Sequence, residues 1–311
     1  LRNTRAKRLL LAAAGDCGDL SGYDAVMSLK HATEAAQAVL QGSTDIFDAK
    51  RAVQEFMKAM QDRFQDETAS GTYTGIEQID QHTGGMRSGE LWVVGAKTSG
   101  GKSVLMLQMA AKAIKEGKRV AIFSLELGVD EVIARIVSHI GRISMSHIMT
   151  PKSLTAGDQQ KITAQAILLK DSNLSICDTS GLSMDQIAAH ATRIQETLGL
   201  DLVIIDYLQM VSARYVKGQN REQEVAGISR SCKQLAKKLK CPVITATQLN
   251  GDGQARESRA IEHDADNVLL IEESNNLTHV RFWKCRNGER GKAFEARLNG
   301  EFQRFDFNPR Y

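Results

Sequence analysis

The sequence lacks the features that mark disulfide-stabilised, zinc-stabilised or membrane-spanning chains. Its five cysteines are scattered and form no Cys-x-x-Cys pair, which indicates reduced thiols in a cytoplasmic protein. The seven histidines show no paired ligand spacing, so we expect no structural zinc. No apolar run approaches the roughly 20 residues that a membrane helix needs, and no signal peptide is evident.

An excess of charge of one sign is also lacking. The 40 Lys and Arg residues against 37 Asp and Glu leave a net charge of +3. Overall charge therefore does not mark a nucleic-acid-binding protein, and a DNA site would have to be a local patch. Hydrophobic residues make up 42% of the 311 residues, which suits one large globular domain with an appendage.

The hydrophobic pattern changes near Thr74. Before it, helices are predicted at Arg5–Ala14, Ala25–Gln41 and Asp45–Phe64, with no strand-like run. In the third helix, apolar residues recur at spacings of three and four and form a stripe on one face: Ile46, Ala49, Val53, Phe56, Met57 and Met60. This stripe packs on its own domain or docks onto a neighbouring subunit, and the sequence leaves both open.

After Thr74, short apolar runs first alternate with helical stretches and then follow one another without helices. Continuous apolar runs predict parallel strands buried on both faces, here at Leu91–Val94, Val120–Leu125, Leu174–Cys177, Leu202–Ile205 and Val243–Thr247. Turns at Asn287-Gly288 and Asn299-Gly300 predict antiparallel hairpins at the sheet edge. Their strands are expected at Val268–Ile271, Val280–Trp283, Phe294–Leu298 and Phe302–Phe307. The fold class is therefore α/β, with a mostly parallel sheet and antiparallel C-terminal edge strands, preceded by a small helical segment.

The most informative motif is GAKTSGGKS, which follows the first predicted strand. A strand, a Gly-rich turn and Lys-Ser opening a helix are typical of a P-loop, whose backbone N–H groups hold phosphates. Lys102 is expected to reach the β- and γ-phosphates, and Ser103 to place its hydroxyl on Mg²⁺. The motif thus predicts a nucleotide and Mg²⁺, with nucleotide-binding residues Gly95, Ala96, Lys97, Thr98, Ser99, Gly100, Gly101, Lys102 and Ser103.

Three further polar residues follow predicted strands. Asp206 ends an apolar strand about a hundred residues after the P-loop, which suggests a residue that binds the metal's water shell. Glu126 follows the strand after the P-loop helix, where a carboxylate can orient and deprotonate water, although it also suits the N-terminus of the next helix. Gln248 ends another strand and could contact the γ-phosphate, or simply be a hydrogen-bonded loop residue.

The order and spacing of these motifs resemble the RecA-like motor domain of DnaB-type replicative DNA helicases. The similarity covers about Thr74 to Asp306, and the Ala96 variant of the P-loop is usual in that family. The similar stretches are TGIEQIDQHTGGMRSGEL, GAKTSGGKS, IFSLEL, IIDYLQM, NREQEVAGISRSCKQLA, ATQLN, RESRAIEHDAD, KCRNGE and LNGEFQRFD. The resemblance implies a RecA-like P-loop NTPase core.

The resemblance also implies roles for single residues. Glu126 would be the catalytic base, Asp206 would serve the metal together with Ser103, and Gln248 would sense the γ-phosphate. Lys284 and Arg286 match a basic pair that reaches the nucleotide of the adjacent subunit, where cations stabilise charge on the transferring phosphoryl group. Without the family, these two residues are equally well explained as an exposed basic turn.

DNA contacts would come from two predicted loops facing a central channel. The candidates are Arg214, Lys217 and Arg221 between a strand and a helix, and Arg256, Glu257 and Arg259 after Gln248. Cationic side chains and backbone amides there can follow phosphates without reading bases. For Arg214 and Lys217, solvated charges on a surface loop are the alternative. Arg259 stands where the family often has Gly, so we expect its charge to replace a close backbone approach.

The resemblance implies three segments and a set of partners. Residues 1–43 would be a helical remnant of an N-terminal domain, 44–72 the linker helix and linker, and 73–311 the RecA-like ATPase and helicase domain. The sequence starts with Leu1 rather than Met, so we expect most of the N-terminal domain to be absent. Expected partners are single-stranded DNA and other copies in a hexamer, with primase and a helicase loader as further candidates, and no membrane.

The leading functional hypothesis is an ATP-dependent ring helicase that moves 5′ to 3′ on single-stranded DNA and unwinds the duplex at the fork. Two alternatives stay open at this point. One is a RecA- or KaiC-like ATPase that forms filaments or rings without unwinding. The other is a replication scaffold that binds ATP but does no motor work.

Overall fold

The computed structural model describes Leu29, Thr33 and residues 48–65, 71–211, 221–249, 258–274 and 277–307. Contacts divide the chain into two units, residues 1–66 and 67–311. In the first unit, helix α1 spans Ala49–Gln65 and leaves Val53, Phe56 and Met57 between 59% and 61% exposed. The helix predicted at Asp45–Phe64 is therefore present over its described part. The predicted helix at Arg5–Ala14 lies outside the described residues, and Leu29 and Thr33 within Ala25–Gln41 are helical.

The second unit is built on a nine-stranded sheet with the order β3-β2-β4-β5-β1-β6-β7-β8-β9. Strands β1 to β6 pair in parallel, and β7, β8 and β9 add to β6 in antiparallel fashion. The strands are β1 Leu91–Ala96, β2 Val120–Ser124, β3 Leu174–Cys177, β4 Leu202–Asp206, β5 Val243–Gln248, β6 Asn267–Ser274, β7 Leu277–Cys285, β8 Ala293–Asn299 and β9 Arg304–Phe307. The predicted mixed sheet is confirmed.

Helices cover both faces of this sheet. They are α2 Glu77–Thr83, α3 Lys102–Lys115, α4 Val129–Gly141, α5 Met145–Met149, α6 Ala156–Lys170, α7 Met184–Thr197, α8 Arg221–Leu239 and α9 Ser258–Asp264. Successive residues of β1 belong to two different buried clusters. One cluster contains Trp92, Val94 and Ala96, and the other contains Leu91 and Val93. This division follows from the two-residue period of a strand with packed helices on each side.

The edge strand β3 corrects one expectation. Its apolar run, Leu174–Cys177, predicted burial on both faces, yet all four of its residues are only half-buried. The reason is its place in the sheet, since β2 is the one strand that pairs with β3 among the described residues. The central strands β1, β2 and β4 are buried throughout, as predicted.

Local capping signals agree with two of the helix starts. Thr155 accepts a hydrogen bond from the backbone N–H of Asp158, whose side chain reaches back to the Thr155 N–H, and this capping box starts α6. Ser183 and Gln186 form the same arrangement at the start of α7.

The described residues contain neither a disulfide nor a membrane-spanning helix. Within the described ranges, Cys177, Cys232, Cys241 and Cys285 are free thiols. None of the helices among these residues is long and apolar enough to cross a membrane.

The ring cluster beneath β7 gives a stability prediction. Phe282 is fully buried, with ring centroids 6.2 Å from Trp92 and 4.9 Å from His82. We expect Phe282→Ala to lower the free energy of unfolding by about 3–5 kcal/mol, because it leaves a cavity in the core. Phe294→Ala, at a half-buried neighbour, should cost clearly less. Urea denaturation of both variants checks this, and equal losses would contradict it.

Candidate nucleotide-binding site

The Gly-rich loop lies where β1 ends and α3 begins. Strand β1 ends at Ala96, and α3 starts at Lys102 with Gly101 as its N-cap. Ser99 and Gly101 have φ angles of 59° and 84°, so the loop turns back on itself before the helix. The N–H groups of the first helical turn have no partner within the helix and face this loop, which is the geometry that a phosphate-binding loop requires.

Glycine at position 101 is required by its surroundings as well as by its φ angle. A Cβ there would stand 2.7 Å from Cζ of Phe305 in β9, closer than real Cβ contacts. The loop is thus packed against the last strand of the antiparallel extension. No sequence pattern indicates that Phe305 supports the P-loop, because nearly all of the domain separates the two residues along the chain.

Lys102 is held back by the loop itself. Its Nζ donates to the carbonyl oxygens of Lys97 at 3.2 Å and of Ala96 at 3.5 Å. Burial lowers the pKa of Lys102, and the nearby carboxylates of Asp206 and Glu126 counteract this effect. A phosphate in the loop would offer the ammonium group a stronger partner than two neutral carbonyls.

Asp206 lies beside the start of α3 and is buried. The hydroxyl of Ser103 hydrogen-bonds its carboxylate, and Oδ1 has no partner among the described residues. Burial raises the pKa of Asp206, while Ser103 and the charge of Lys102 lower it. A buried carboxylate oxygen without a partner is costly in free energy and suits a cation that arrives with the ligand.

Glu126 and Gln248 complete the carboxyl edge of the sheet. Ser124 holds the turn that carries Glu126: its Oγ donates to the Leu127 carbonyl at 2.7 Å and accepts from the Leu127 N–H at 3.3 Å. Glu126 is exposed, and Nε2 of Gln248 donates to Oγ1 of Thr98 in the P-loop at 2.7 Å. The structure therefore brings together Lys102, Ser103, Glu126, Asp206 and Gln248, as the sequence predicted.

These residues fit a magnesium nucleotide. A hydroxyl and a carboxylate oxygen are the hard ligands that Mg²⁺ accepts, with phosphates and waters filling its other positions. Among the described residues, no group of three or more His, Cys, Asp or Glu could hold a metal ion without such help. The site is therefore suited to a cation that enters with its nucleotide.

Lys284 and Arg286 lie toward the opposite edge of the sheet. Strand β7 runs antiparallel to β6, so its last residues lie beside the first residues of β6 and β1. The Arg286 N–H donates to the carbonyl of Asp266, whose N–H donates to the carbonyl of Leu91. Since β1 from Leu91 to Ala96 spans about 17 Å, this pair does not reach the P-loop of its own chain.

A network of buried carboxylates at this amino edge was missed by the sequence reasoning. Asp266 contacts Arg286 and Lys233, and Glu90 accepts from Nδ2 of Asn287 at 3.0 Å and from Nε1 of Trp92 at 2.9 Å. Lys284 donates through Nζ to the carbonyl of Glu262 in α9 at 2.5 Å. Asp266 does close the quoted stretch RESRAIEHDAD, but nothing in its spacing indicates these partners.

The predicted DNA-binding residues fall mostly outside the described part of the chain. Arg214, Lys217, Arg256 and Glu257 lie there. For the other two residues, the predicted loop position is wrong. Arg221 begins α8, and Arg259 lies in α9. Both are followed by residues free of Gly and Pro for at least five positions, and such sequences favour helix over loop.

Comparison with known proteins shows which sequences this chain resembles. A sequence-family model described as DnaB-like helicase C terminal domain matches residues 71–307. The replicative DNA helicase DnaB of Pasteurella multocida (strain Pm70) is 33% identical over 260 residues, covering 76% of this chain and 55% of the relative. The replicative DNA helicase DnaC of Bacillus subtilis (strain 168) is 33% identical over 257 residues, covering 76% and 56%. The chain thus spans about half the length of these curated relatives.

Two solved structures share the fold. One, described as an ATPase domain, superposes with a TM-score of 0.75 at 24% identity, over 84% of this chain and 98% of that one. A DnaB-like replicative helicase, described with its interactions with primase, gives a TM-score of 0.71 at 22% identity, over 98% of this chain and 77% of that one. At these identities the likeness supports the RecA-like fold alone.

The buried Asp206 gives a prediction for the protein without nucleotide. Because burial raises its folded pKa above the unfolded value, stability is lost as pH rises through the folded pKa, and the charged form is a cost at pH 7. We expect Asp206→Asn to raise the free energy of unfolding at pH 7, with the gain shrinking as acid protonates Asp206 in the native chain.

The measurement is urea denaturation across pH in the absence of Mg²⁺. Asp185→Asn is the matched control, since Asp185 is exposed in the first turn of α7 and should change stability little. A less stable Asp206→Asn variant at pH 7 would contradict the account.

Proposed function

Because the chain belongs to the DnaB-like helicase C-terminal domain family, we propose that it is the motor part of an ATP-driven replicative DNA helicase. It hydrolyses ATP, moves along single-stranded DNA and separates the duplex ahead of it. The observation that carries the proposal is the buried Asp206 carboxylate, with one oxygen unpartnered among the described residues, beside Ser103 and Lys102.

Each residue at the carboxyl edge of the sheet has its own role in phosphoryl transfer. Loop N–H groups and Lys102 hold the triphosphate. Asp206 and Ser103 would hold Mg²⁺, which would supply positive charge against the phosphates. Glu126, on its fixed turn, orients the attacking water and accepts its proton. Gln248 lies between the P-loop and the segment after β5, so it can report the γ-phosphate to that segment through Thr98.

Hydrolysis needs a second copy of the chain in this proposal. Lys284 and Arg286 are far from their own P-loop but near the surface, and the Arg286 side chain is 65% exposed. Placed against the carboxyl edge of a neighbour, they bring two positive charges to that neighbour's phosphates. A closed ring of copies, expected to be a hexamer, gives every subunit such a neighbour.

The apolar side of α1 supplies a contact for such an assembly. Val53, Phe56 and Met57 are each more than half exposed, which is costly for three large apolar side chains on one helix face. We assign this face to docking on the adjacent copy, as the linker helix of the ring.

The partners follow from the proposed motor activity. Two segments bind the single-stranded DNA backbone through cationic side chains and backbone amides. Their candidate residues are Arg214, Lys217, Arg256 and Glu257, with Arg221 and Arg259 near the helix starts beside them. Movement is expected 5′ to 3′, and primase and a loader are proposed partners in a cytoplasmic complex. One structural neighbour is described with its interactions with primase.

Unwinding of a forked duplex tests the proposed function. We expect ATP-dependent strand displacement that requires a 5′ tail, is lost in Lys102→Ala, and is kept in Lys115→Ala, an exposed lysine at the end of the same helix. The readout is release of a labelled strand. Hydrolysis stimulated by DNA without displacement would contradict the helicase and favour a RecA- or KaiC-like ATPase.

If Lys284 and Arg286 act on the nucleotide of a neighbouring chain, their loss should affect ATP hydrolysis but not ATP binding. We expect Arg286→Ala and Lys284→Ala to keep the nucleotide affinity of the monomer, since neither residue reaches its own P-loop. Both should lose ATP hydrolysis, by about 10³-fold for Arg286. A fluorescent ATP analogue measures binding, and phosphate release measures turnover. Arg297→Ala, at an exposed arginine of β8, is the control. Full turnover in either variant would refute the trans role.

A further inference from the structure

A buried carboxylate, Asp266, holds the turn that carries Arg286. Its Oδ1 accepts from Nη1 of Arg286 at 2.7 Å. Its Oδ2 accepts from the Leu91 N–H at 2.8 Å and from Nζ of Lys233 at 2.5 Å. The Arg286 N–H also donates to the Asp266 carbonyl at 3.0 Å. Arg286 is therefore attached to one residue at its backbone and at its side chain.

The two cations that contact Asp266 lie at different depths. The exposure of the side chains rises from 3% for Asp266 through 15% for Lys233 to 65% for Arg286. A second buried carboxylate, Glu90, acts on Arg286 through its charge. Lys233, the deeper cation, balances the charge of Asp266, and the exposed guanidinium of Arg286 stays accessible to a phosphate. Paired with Arg286 alone, Asp266 would instead neutralise the group that has to attract a phosphate.

The carboxylate is permanently charged at neutral pH. Burial by itself raises the pKa of Asp266, but hydrogen bonds from Lys233, the Leu91 N–H and Arg286 together bring it below its ordinary value. The charged Asp266 carboxylate can therefore hold Arg286 at neutral pH.

The hydrogen bond with Asp266 leaves most of the Arg286 guanidinium free. Only Nη1 of Arg286 has a hydrogen-bond partner among the described residues, so Nε and Nη2 can still donate to a planar or tetrahedral anion. The next residue is fixed as well, because Nδ2 of Asn287 donates to the buried Glu90 at 3.0 Å. Two consecutive turn residues are therefore held by two buried carboxylates, Glu90 and Asp266.

We propose that Asp266 is a positioning residue for hydrolysis in the neighbouring subunit: it fixes the Arg286 guanidinium at the subunit surface, while Lys233 supplies the compensating charge. This inference rests on the proposed trans role of Arg286 and deepens it. A cation held in advance loses less side-chain entropy when it meets the phosphates, so its contribution to turnover is larger.

A charge-balanced double variant separates positioning from stability. Asp266→Asn alone strands the buried Lys233 and should lower Tm. In Asp266→Asn with Lys233→Met, neutral side chains replace both members of this buried ion pair, so Tm should recover. The single amide oxygen then satisfies the buried Leu91 N–H, and the amide nitrogen, a donor, faces Arg286 and cannot hold it.

We therefore expect the double variant to have a Tm near that of the native chain, but a kcat for ATP hydrolysis reduced about 10²-fold with little change in KM. Recovery of both Tm and kcat would overturn the proposal, because Asp266 would then only balance the charge of Lys233. A kcat equal to the native value in a folded Asp266→Asn variant would overturn it as well.

Mixing with Lys102→Ala chains locates the defect. These chains cannot use their own nucleotide site but bring an intact Arg286 to a neighbour. Activity should appear when they are mixed with Arg286→Ala chains and equally with the double variant. If ATP hydrolysis appears with Arg286→Ala chains but not with the double variant, the defect lies in the double variant's own nucleotide site. That result would contradict the inference. No gain with either would instead refute the proposed trans role itself.

Discussion

The direction of the strands is the constraint on which the rest of this molecule depends. Parallel β1, β2, β4 and β5 bring their carboxyl ends to one edge, and with them the P-loop, Glu126, Asp206 and Gln248. The antiparallel extension then reverses direction, so the turn after β7 emerges at the other edge. One sheet thus separates the proposed phosphate-binding residues from the cations of Lys284 and Arg286.

The two edges treat a buried carboxylate in opposite ways. Burial dominates at Asp206 and raises its pKa, and one of its oxygens has no partner in the described residues. At Asp266 burial is outweighed by Lys233, a backbone N–H and Arg286, and the pKa is lowered. The first arrangement suits a cation that comes and goes with the nucleotide, and the second suits a fixed support.

Much of this organisation is predictable from the sequence. Apolar runs predicted the nine strands within a few residues, because buried parallel strands need continuous hydrophobic sequence and hairpins need turns such as Asn287-Gly288. The same-edge placement of Lys102, Glu126, Asp206 and Gln248 follows from their positions at strand ends. The half-burial of β3 did not follow, since an apolar run does not tell an edge strand from a central one.

What the sequence could not show are contacts between distant residues. Phe305 packs beneath Gly101, and Asp266 joins Leu91, Lys233 and Arg286. Such contacts depend on strand order and register, which no local pattern encodes. Neighbouring polar segments predict loops for Arg221 and Arg259, whereas helix propensity extends α8 and α9 to include them.

The central claim is that the hydrolytic site is completed by another copy of the chain. Its most direct test is the rate of ATP hydrolysis per chain measured over a wide range of protein concentration, with sedimentation recording the assembly state. The account predicts a rate per chain that is negligible for the monomer, rises as copies associate and then levels off, and stays low throughout for Arg286→Ala. A full rate per chain at dilutions where only monomer sediments would contradict it.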